Sequence, residues 1–118
     1  MQEVDMLPVQ LTIKDIPSSP ALESTILKKA KKLTQFYQRI TSCRIVVELP
    51  KKHQHHGKLF NVRIDVTVPG KELVATKQCE KGVYVAVREA FEAIIRQLES
   101  HAQKRNGRVK THQQPITG

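Results

Sequence analysis

The chain has 118 residues, of which 20 are Lys or Arg and 11 are Asp or Glu, so its formal net charge is +9. This length predicts one domain, and a hydrophobic fraction of 39% is enough for one core. With no apolar run near the roughly 20 residues of a membrane helix, no secretory signal and two cysteines, a membrane protein and a disulfide scaffold are excluded and a cytoplasmic protein is expected.

The first part of the chain predicts a strand followed by a helix. Residues 1–8 show little pattern and are expected to form a loose lead-in. From Val9 to Ile13 apolar and polar side chains alternate, which is the period of a half-buried strand. Ser19 and Pro20 then indicate a helix start, since serine caps a free backbone N–H and proline fits the first helical position. This helix is predicted over residues 20–36, with an apolar stripe along one face.

Three more strands and a second helix are predicted after it. Residues 40–49 and 60–68 both alternate between apolar and polar side chains, and a polar loop separates them. A Pro-Gly turn follows and predicts a shorter strand around residues 73–75. From Gly82 onward, apolar residues recur at helical spacing as far as Leu98.

The resulting order, β-α-β-β-β-α, predicts an α+β fold. Alternating strands leave one apolar face, and two amphipathic helices are what that face requires. We therefore expect a two-layer sandwich with a four-stranded mixed sheet and both helices on one face. The domain is predicted to span residues 9–106. Residues 107–118 contain no acidic residue and no periodicity, so a mobile basic tail is expected.

Positive charge is concentrated in three segments of the chain. The first helix has Glu23 as its one acidic residue, while the loop at residues 50–58 and the chain after residue 101 have none. A face that only improves solubility would normally mix both signs, so this distribution favours a polyanionic partner. This partner is RNA, DNA or an acidic membrane surface, and the candidate contact residues in these segments are Lys28, Lys29, Lys32, Arg39, Lys51, Lys52, Lys104 and Arg105.

No arrangement of residues is typical of an enzyme. His53, His55 and His56 lie in the polar loop with no cysteine or carboxylate beside them, which favours a solvated or phosphate-contacting loop over a metal site. Cys43 has the parity of core residues, and Cys79 is expected to be exposed, but no oriented base is identifiable beside it. Phosphate-binding and dinucleotide-binding glycine motifs are missing. Catalysis, a cofactor, a metal and a small-molecule substrate are therefore not expected.

Common nucleic-acid-binding modules are not indicated either. The polar face of the strongest strand consists of Asn61, Arg63, Asp65 and Thr67. It lacks the aromatic residues with which an RNA-recognition sheet stacks bases, and no zinc-finger spacing is present. One flank of the second helix consists of Tyr84, Arg88, Phe91 and Ile95. This flank is more typical of packing at the edge of a core than of a stacking platform, which leaves phosphate contacts from the helices.

Six short stretches together are similar to a known family. They are 9–13 (VQLTI), 19–23 (SPALE), 29–33 (KAKKL), 71–76 (KELVAT), Tyr84 with Ala86, and 96–98 (RQL) followed by His101. In this order and spacing they resemble the ribosome hibernation promoting factors. These are also called ribosome-associated inhibitors or sigma-54 modulation proteins. The resemblance covers about residues 9–104.

The resemblance implies the same β-α-β-β-β-α fold and a translation inhibitor that acts without turnover. Short members of this family bind the mRNA and tRNA channel of the small (30S) ribosomal subunit and hold idle 70S ribosomes inactive. Two adjacent helices present basic residues to 16S rRNA. Lys29 and Lys32 match lysines of the first helix in the family, and Arg96 and Lys104 match basic positions of the second. A monomer without a membrane partner is expected.

This sequence departs from the family pattern on the second helix. Arg88 stands where an acidic residue is common, which adds it to the candidate RNA-contacting residues. At positions of the second helix where family members usually have lysine, this chain has Ala93, Glu99, Ser100 and Ala102. Two alternatives stay open: a general binder of structured RNA that uses the same basic face, and a regulatory protein–protein module in which the charge serves solubility.

The predicted domain boundary can be tested by limited proteolysis. We expect trypsin to remove the basic residues after position 106 first and to leave the preceding domain intact, because exposed tails are cleaved before packed strands. Mass spectrometry of the early fragments identifies the first site. A first cleavage within residues 60–75 would contradict the predicted boundary.

Overall fold

The computed structural model describes residues 7–17, 19–50 and 58–117, with side chains described as far as Lys104. The predicted order of elements, β-α-β-β-β-α, is confirmed. The strands are β1 (Val9–Lys14), β2 (Ser42–Glu48), β3 (Phe60–Val68) and β4 (Lys71–Cys79), and the helices are α1 (Pro20–Lys32) and α2 (Val83–Thr117). A short 3-10 turn, Leu33–Gln35, continues α1.

The four strands form one mixed sheet, as predicted, and their order in it is β1-β2-β3-β4. β1 pairs with β2 in parallel, and the other two pairings are antiparallel. Leu11, Ile45, Ile64 and Ala75 lie opposite one another and form a row across all four strands. Ile45, Ile64 and Ala75 of this row are buried in the core cluster that also contains the apolar residues of both helices.

The local sequence explains where α1 begins. The Ser19 side chain accepts a hydrogen bond from the backbone N–H of Leu22 at 3.2 Å, and Pro20 occupies the first turn. Leu22, Ile26 and Ala30 are buried and anchor the helix in the core. Because these residues are spaced by four, they fix the rotation of α1 and therefore which of its residues face solvent.

The two helices run in the same direction, side by side. β1 and β4 are parallel to each other within the sheet, and each is followed by a helix that returns across it. Residues of α1 contact residues of α2. Near the end of this pair, the ring of Tyr37 meets the ring of His101 edge-on, with 5.1 Å between centroids and an interplanar angle of 81°. This contact ties the segment after α1 to α2.

α2 is longer than the sequence analysis indicates. It continues through Gly107 to Thr117, although the periodicity of buried residues ends at Leu98. No proline lies between Val83 and position 115, and a single glycine costs a helix only about 1 kcal/mol. The backbone therefore stays helical beyond Leu98, the last buried residue among the side chains that the structure describes. The mobility of residues 107–118 stays a prediction, and the lead-in at residues 1–6 lies outside the described residues.

Both cysteines are buried, which corrects the expectation for Cys79. Cys43 on β2 is buried as its parity predicts, and loss of hydration, together with the charge of Asp65, raises the pKa of its thiol to about 12. Cys79 is only 8% exposed, because it ends β4 on the same face as Leu73 and Ala75. Its Sγ accepts a hydrogen bond from the backbone N–H of Lys81 at 3.4 Å. The prediction that Cys79 is exposed is therefore wrong.

Ile64 tests the assignment of the two sheet faces. It is fully buried on β3, between Ile45 of β2 and Ala75 of β4. We expect Ile64→Ala to lower the free energy of unfolding by about 2–5 kcal/mol, because it leaves a cavity under the helices. Urea denaturation measures this loss, and the exposed Thr76→Ala serves as the control, with an expected change below about 0.5 kcal/mol. A loss under about 1 kcal/mol for Ile64→Ala would contradict the assigned faces.

Cys43 predicts a pH dependence of stability. Its pKa is raised in the folded state from 9.0 to about 12, so the folded protein holds this proton more tightly than the unfolded chain. The corresponding stability is complete below pH 9 and falls as the pH rises toward 12. We expect urea denaturation at pH 8, 9, 10 and 11 to show a steeper loss for the wild type than for Cys43→Ala. If the free energy of unfolding fell equally steeply with pH in both proteins, this result would contradict a thiol pKa that folding raises.

Candidate nucleic-acid interface

The cations of α1 lie outside the buried stripe of that helix, on its solvent-facing side or at the border of the stripe. Lys28, Lys31 and Lys32 are exposed, and Lys29, which borders the stripe, is half-buried. Arg39, beyond the 3-10 turn, is also exposed. The predicted placement of Lys28 and Lys32 on the polar side of the helix agrees with these exposures.

No negative charge balances this group within the part of the chain that the structure describes. None of the four candidate cations of this segment (Lys28, Lys29, Lys32 and Arg39) forms an ion pair with a described carboxylate. The nearest acidic residues along the chain are Glu23 and Glu48, so 24 consecutive residues between them carry no negative side chain. Like charges at spacings of three and four repel one another, and a polyanion would relieve this repulsion.

α2 contributes fewer free cations. Arg96 and Lys104 are exposed and make no ion pair with a described carboxylate. Arg88 is exposed too, but its Nε lies 4.0 Å from Oε2 of Glu92, one turn later on the same helix. Arg105 lies on α2, and its side chain is outside the described residues, as are Lys51, Lys52 and the three histidines of the polar loop.

On the open face of the sheet, in contrast, the arginines are paired with carboxylates. Arg44 of β2 donates to Glu72 of β4 at 3.1 Å and lies 3.6 Å from Asp65 of β3. Arg63 donates to Asp65 at 2.9 Å, and this hydrogen bond, with the charge of Asp65, raises the pKa of the guanidinium. The arginines on this face are therefore already paired. It offers a polyanion much less attraction than α1 does.

The two aromatic side chains on the predicted flank of α2 differ in exposure, although both are expected to pack at the edge of the core. Phe91 is 3% exposed and belongs to the core, whereas Tyr84, on the same predicted flank of α2, is 49% exposed. The two therefore do not form one stacking platform. A further exposed aromatic residue, which the sequence pattern does not indicate, is Phe36. It is 36% exposed at the end of the 3-10 turn and lies between Lys32 and Arg39 along the chain. The helix predicted over residues 20–36 does not indicate this exposure, because the α-helix ends at Lys32 and a 3-10 turn follows.

Within residues 7–17, 19–50 and 58–104, no group of three or more His, Cys, Asp or Glu side chains is arranged to hold a metal ion. Over the same described part of the chain, no helix is long and apolar enough to cross a membrane. What the helices do present is a surface of unpaired cations suited to phosphate groups.

Comparison with known proteins gives the same fold. The N-terminal domain of Protein Y from Thermus thermophilus superposes with a TM-score of 0.66 and 16% identity, over 80% of this chain and 99% of that one. A ribosomal subunit interface protein from Coxiella burnetii superposes with a TM-score of 0.59 and 21% identity, over 86% of this chain and 99% of that one. No curated protein matches the chain.

The sequence pattern of one family covers most of the chain. The family described as sigma 54 modulation protein / S30EA ribosomal protein matches residues 9–106. This match agrees with the resemblance that the short stretches indicate. The chain belongs to the sigma 54 modulation protein / S30EA ribosomal protein family, a ribosome-associated family without enzymatic activity.

Proposed function

We propose that this protein inhibits translation by occupying the mRNA and tRNA channel of the small ribosomal subunit. The basic side of its helices contacts 16S rRNA, and the body of the domain fills space that mRNA and tRNA need. The family supports the ribosome as the partner, and the similar protein from Coxiella burnetii is named a ribosomal subunit interface protein. The protein acts in the cytoplasm as a monomer.

The observation that carries the proposal is the unbalanced charge of α1. Lys28, Lys29 and Lys32 have no carboxylate partner among the described residues, whereas the arginines of the open sheet face do. Phosphate contacts by unpaired lysines release counterions from RNA without first breaking an ion pair of the protein. The helical side is therefore the side that binds rRNA.

Other cations extend this surface along and beyond the helix pair. Arg39 follows α1, Arg96 and Lys104 lie on α2, and Arg88 joins them if RNA phosphate replaces Glu92 as its partner. We also assign RNA contacts to the three candidates whose side chains lie outside the described residues, which are Lys51, Lys52 and Arg105. The weaker basic character of α2 makes α1 the main source of affinity.

Inhibition by this mechanism needs no chemical step. A protein in the channel excludes mRNA and tRNA sterically, so the degree of inhibition follows the fraction of subunits occupied. Because the phosphate contacts are electrostatic, that occupancy decreases as salt increases.

Sedimentation distinguishes this function from its alternatives. Purified 30S, 50S and 70S particles are pelleted with the protein at several salt concentrations, with and without prebound mRNA and tRNA. We expect pelleting with 30S and 70S particles but not with 50S, and loss of pelleting when the channel is filled. Equal binding to 50S particles and to a free RNA hairpin would indicate a general RNA binder. Binding that is independent of salt would indicate a protein–protein module.

The triple variant Lys28→Ala, Lys29→Ala, Lys32→Ala tests the proposed face. We expect it to stay folded, since none of the three side chains is buried, and to bind 30S subunits roughly a hundredfold more weakly, at about 1 kcal/mol for each lysine removed. Its plot of log K against log salt should be shallower by about one unit for each phosphate that is no longer neutralised. Pelleting titrations at several salt concentrations measure both quantities.

A control variant with the same change in charge is available at β4, the edge strand opposite β1 in the sheet. Lys71→Ala, Lys77→Ala, Lys81→Ala also removes three positive charges, from β4 and the turn after it. We expect it to bind with nearly wild-type affinity, and Glu89→Gln, Glu92→Gln, Glu99→Gln on α2 to bind as well as or better than the wild type. Wild-type affinity and salt slope in the α1 variant would show that α1 is not the binding face.

A further inference from the structure

The sequence provides few aromatic side chains, and the structure leaves two of them exposed. The chain has three Phe, two Tyr and no Trp. Of these, Phe36 is 36% exposed and Tyr84 is 49% exposed, whereas Phe91 is buried. Exposed aromatic rings on a surface that binds RNA are suited to stacking on bases that are not paired.

The charge around Phe36 distinguishes it from Tyr84. Lys32 precedes Phe36 by four residues and Arg39 follows it by three, and both are exposed without a described carboxylate partner. Tyr84 follows Lys81 by three residues, but Glu80 is next to this lysine, and Arg88, one turn after Tyr84, already interacts with Glu92. Along the chain, Phe36 therefore has on each side an exposed cation suited to a phosphate that flanks a base.

The backbone holds Phe36 in place without burying its ring. The N–H of Phe36 donates to the carbonyl oxygen of Leu33 at 3.0 Å, and the N–H of Tyr37 donates to the same oxygen at 3.3 Å. Leu33 is fully buried, and Tyr37 packs against His101 of α2. Its neighbours thus anchor this segment to the core, while the Phe36 ring stays available. A residue whose backbone is fixed before binding loses less conformational entropy when a base stacks on its side chain.

We propose that Phe36 stacks on an unpaired RNA base, with Lys32 and Arg39 holding the phosphates that flank this nucleotide. The inference rests on the proposed function, because it assigns the partner of Phe36 to the RNA that α1 contacts. It adds a contact with a base to a surface otherwise made of phosphate contacts, and it identifies the ligand as single-stranded rather than duplex RNA at this point.

Substitutions at Phe36 separate stacking from packing and from charge. We expect Phe36→Ala to weaken 30S binding by about fivefold to 150-fold, as removal of a stacking residue does. Phe36→Leu, which keeps apolar bulk, should lose nearly as much, and Phe36→Tyr should bind like the wild type. The salt slope should be unchanged in all three variants, because no phosphate contact is removed. Tyr84→Ala is the matched control and should bind normally.

Fluorescence gives a direct readout of stacking. Since the chain has no Trp, Phe36→Trp introduces a single indole whose emission should be quenched by 30S subunits and by a single-stranded RNA decamer, but not by a duplex of equal length. Tyr84→Trp should keep its emission in all three cases. Normal binding by Phe36→Leu, or unquenched emission from bound Phe36→Trp, would overturn the stacking contact.

The two proposals fail in different ways. If the wild type does not pellet with 30S subunits, the proposed function fails, and quenching of Phe36→Trp by the decamer still decides whether this ring stacks on RNA. If the wild type pellets and Phe36→Leu pellets equally well with an unchanged melting temperature, the proposed function stands and the stacking contact is wrong.

Discussion

The burial of one stripe of α1 against the sheet determines what the rest of the surface can do. Leu22, Ile26 and Ala30 can enter the core in only one rotation of the helix, and that rotation leaves Lys28 and Lys32 in solvent. The mutual repulsion of these lysines costs a few tenths of a kcal/mol for each close pair, whereas burial of a single large apolar side chain contributes about 1.5–3 kcal/mol. Packing therefore wins, and the helix keeps a positive charge that no described carboxylate pairs with.

The two layers of the fold have different electrostatic roles. On the open side of the sheet, Arg44 and Arg63 share Asp65, and Arg44 also reaches Glu72, so the side chains of three strands satisfy one another. Exposed pairs of this kind contribute little to stability, but they remove the attraction of that face for RNA. The helical layer has no comparable set of carboxylates near α1. The described charges are thus paired on the open sheet face and unpaired on α1, which favours the helical side for the proposed contact with a polyanion.

Most of the fold could be predicted because periodicity reports burial directly. Alternation in residues 60–68 matches the bounds of β3, and the spacing from Leu22 to Leu33 matches the buried face of α1. The prediction for Cys79 is wrong because the predicted strand stops near residue 75, whereas β4 continues to Cys79, which lies opposite Phe60 of β3. The extent of a strand depends on its partner, and this information is not local in sequence.

The candidate site could be predicted only as far as helical geometry applies. The exposure of Lys28 and Lys32 follows from 3.6 residues per turn, but that of Phe36 does not, because the 3-10 turn at Leu33–Gln35 changes the rotation per residue. The sequence also contains no signal for the ion pair between Arg88 and Glu92 beyond their spacing of four, which many helices show without a contact. A contact with RNA depends on the shape and charge of the partner as well as on those of this chain.

A surface that combines lysines with an aromatic ring responds to salt in two ways. Each phosphate contact loses free energy as salt rises, because the release of counterions into a more concentrated solution is less favourable, whereas stacking of a base on Phe36 depends on salt only weakly. In the proposed complex, the lysines of α1 dominate the affinity at low salt and attract the protein to any polyanion. At higher salt the share of the proposed stacking contact grows, and with it the preference for RNA that offers an unpaired base. The position of Phe36 between Lys32 and Arg39 along the chain brings both proposed contributions into one segment, so that general attraction and discrimination act at the same place.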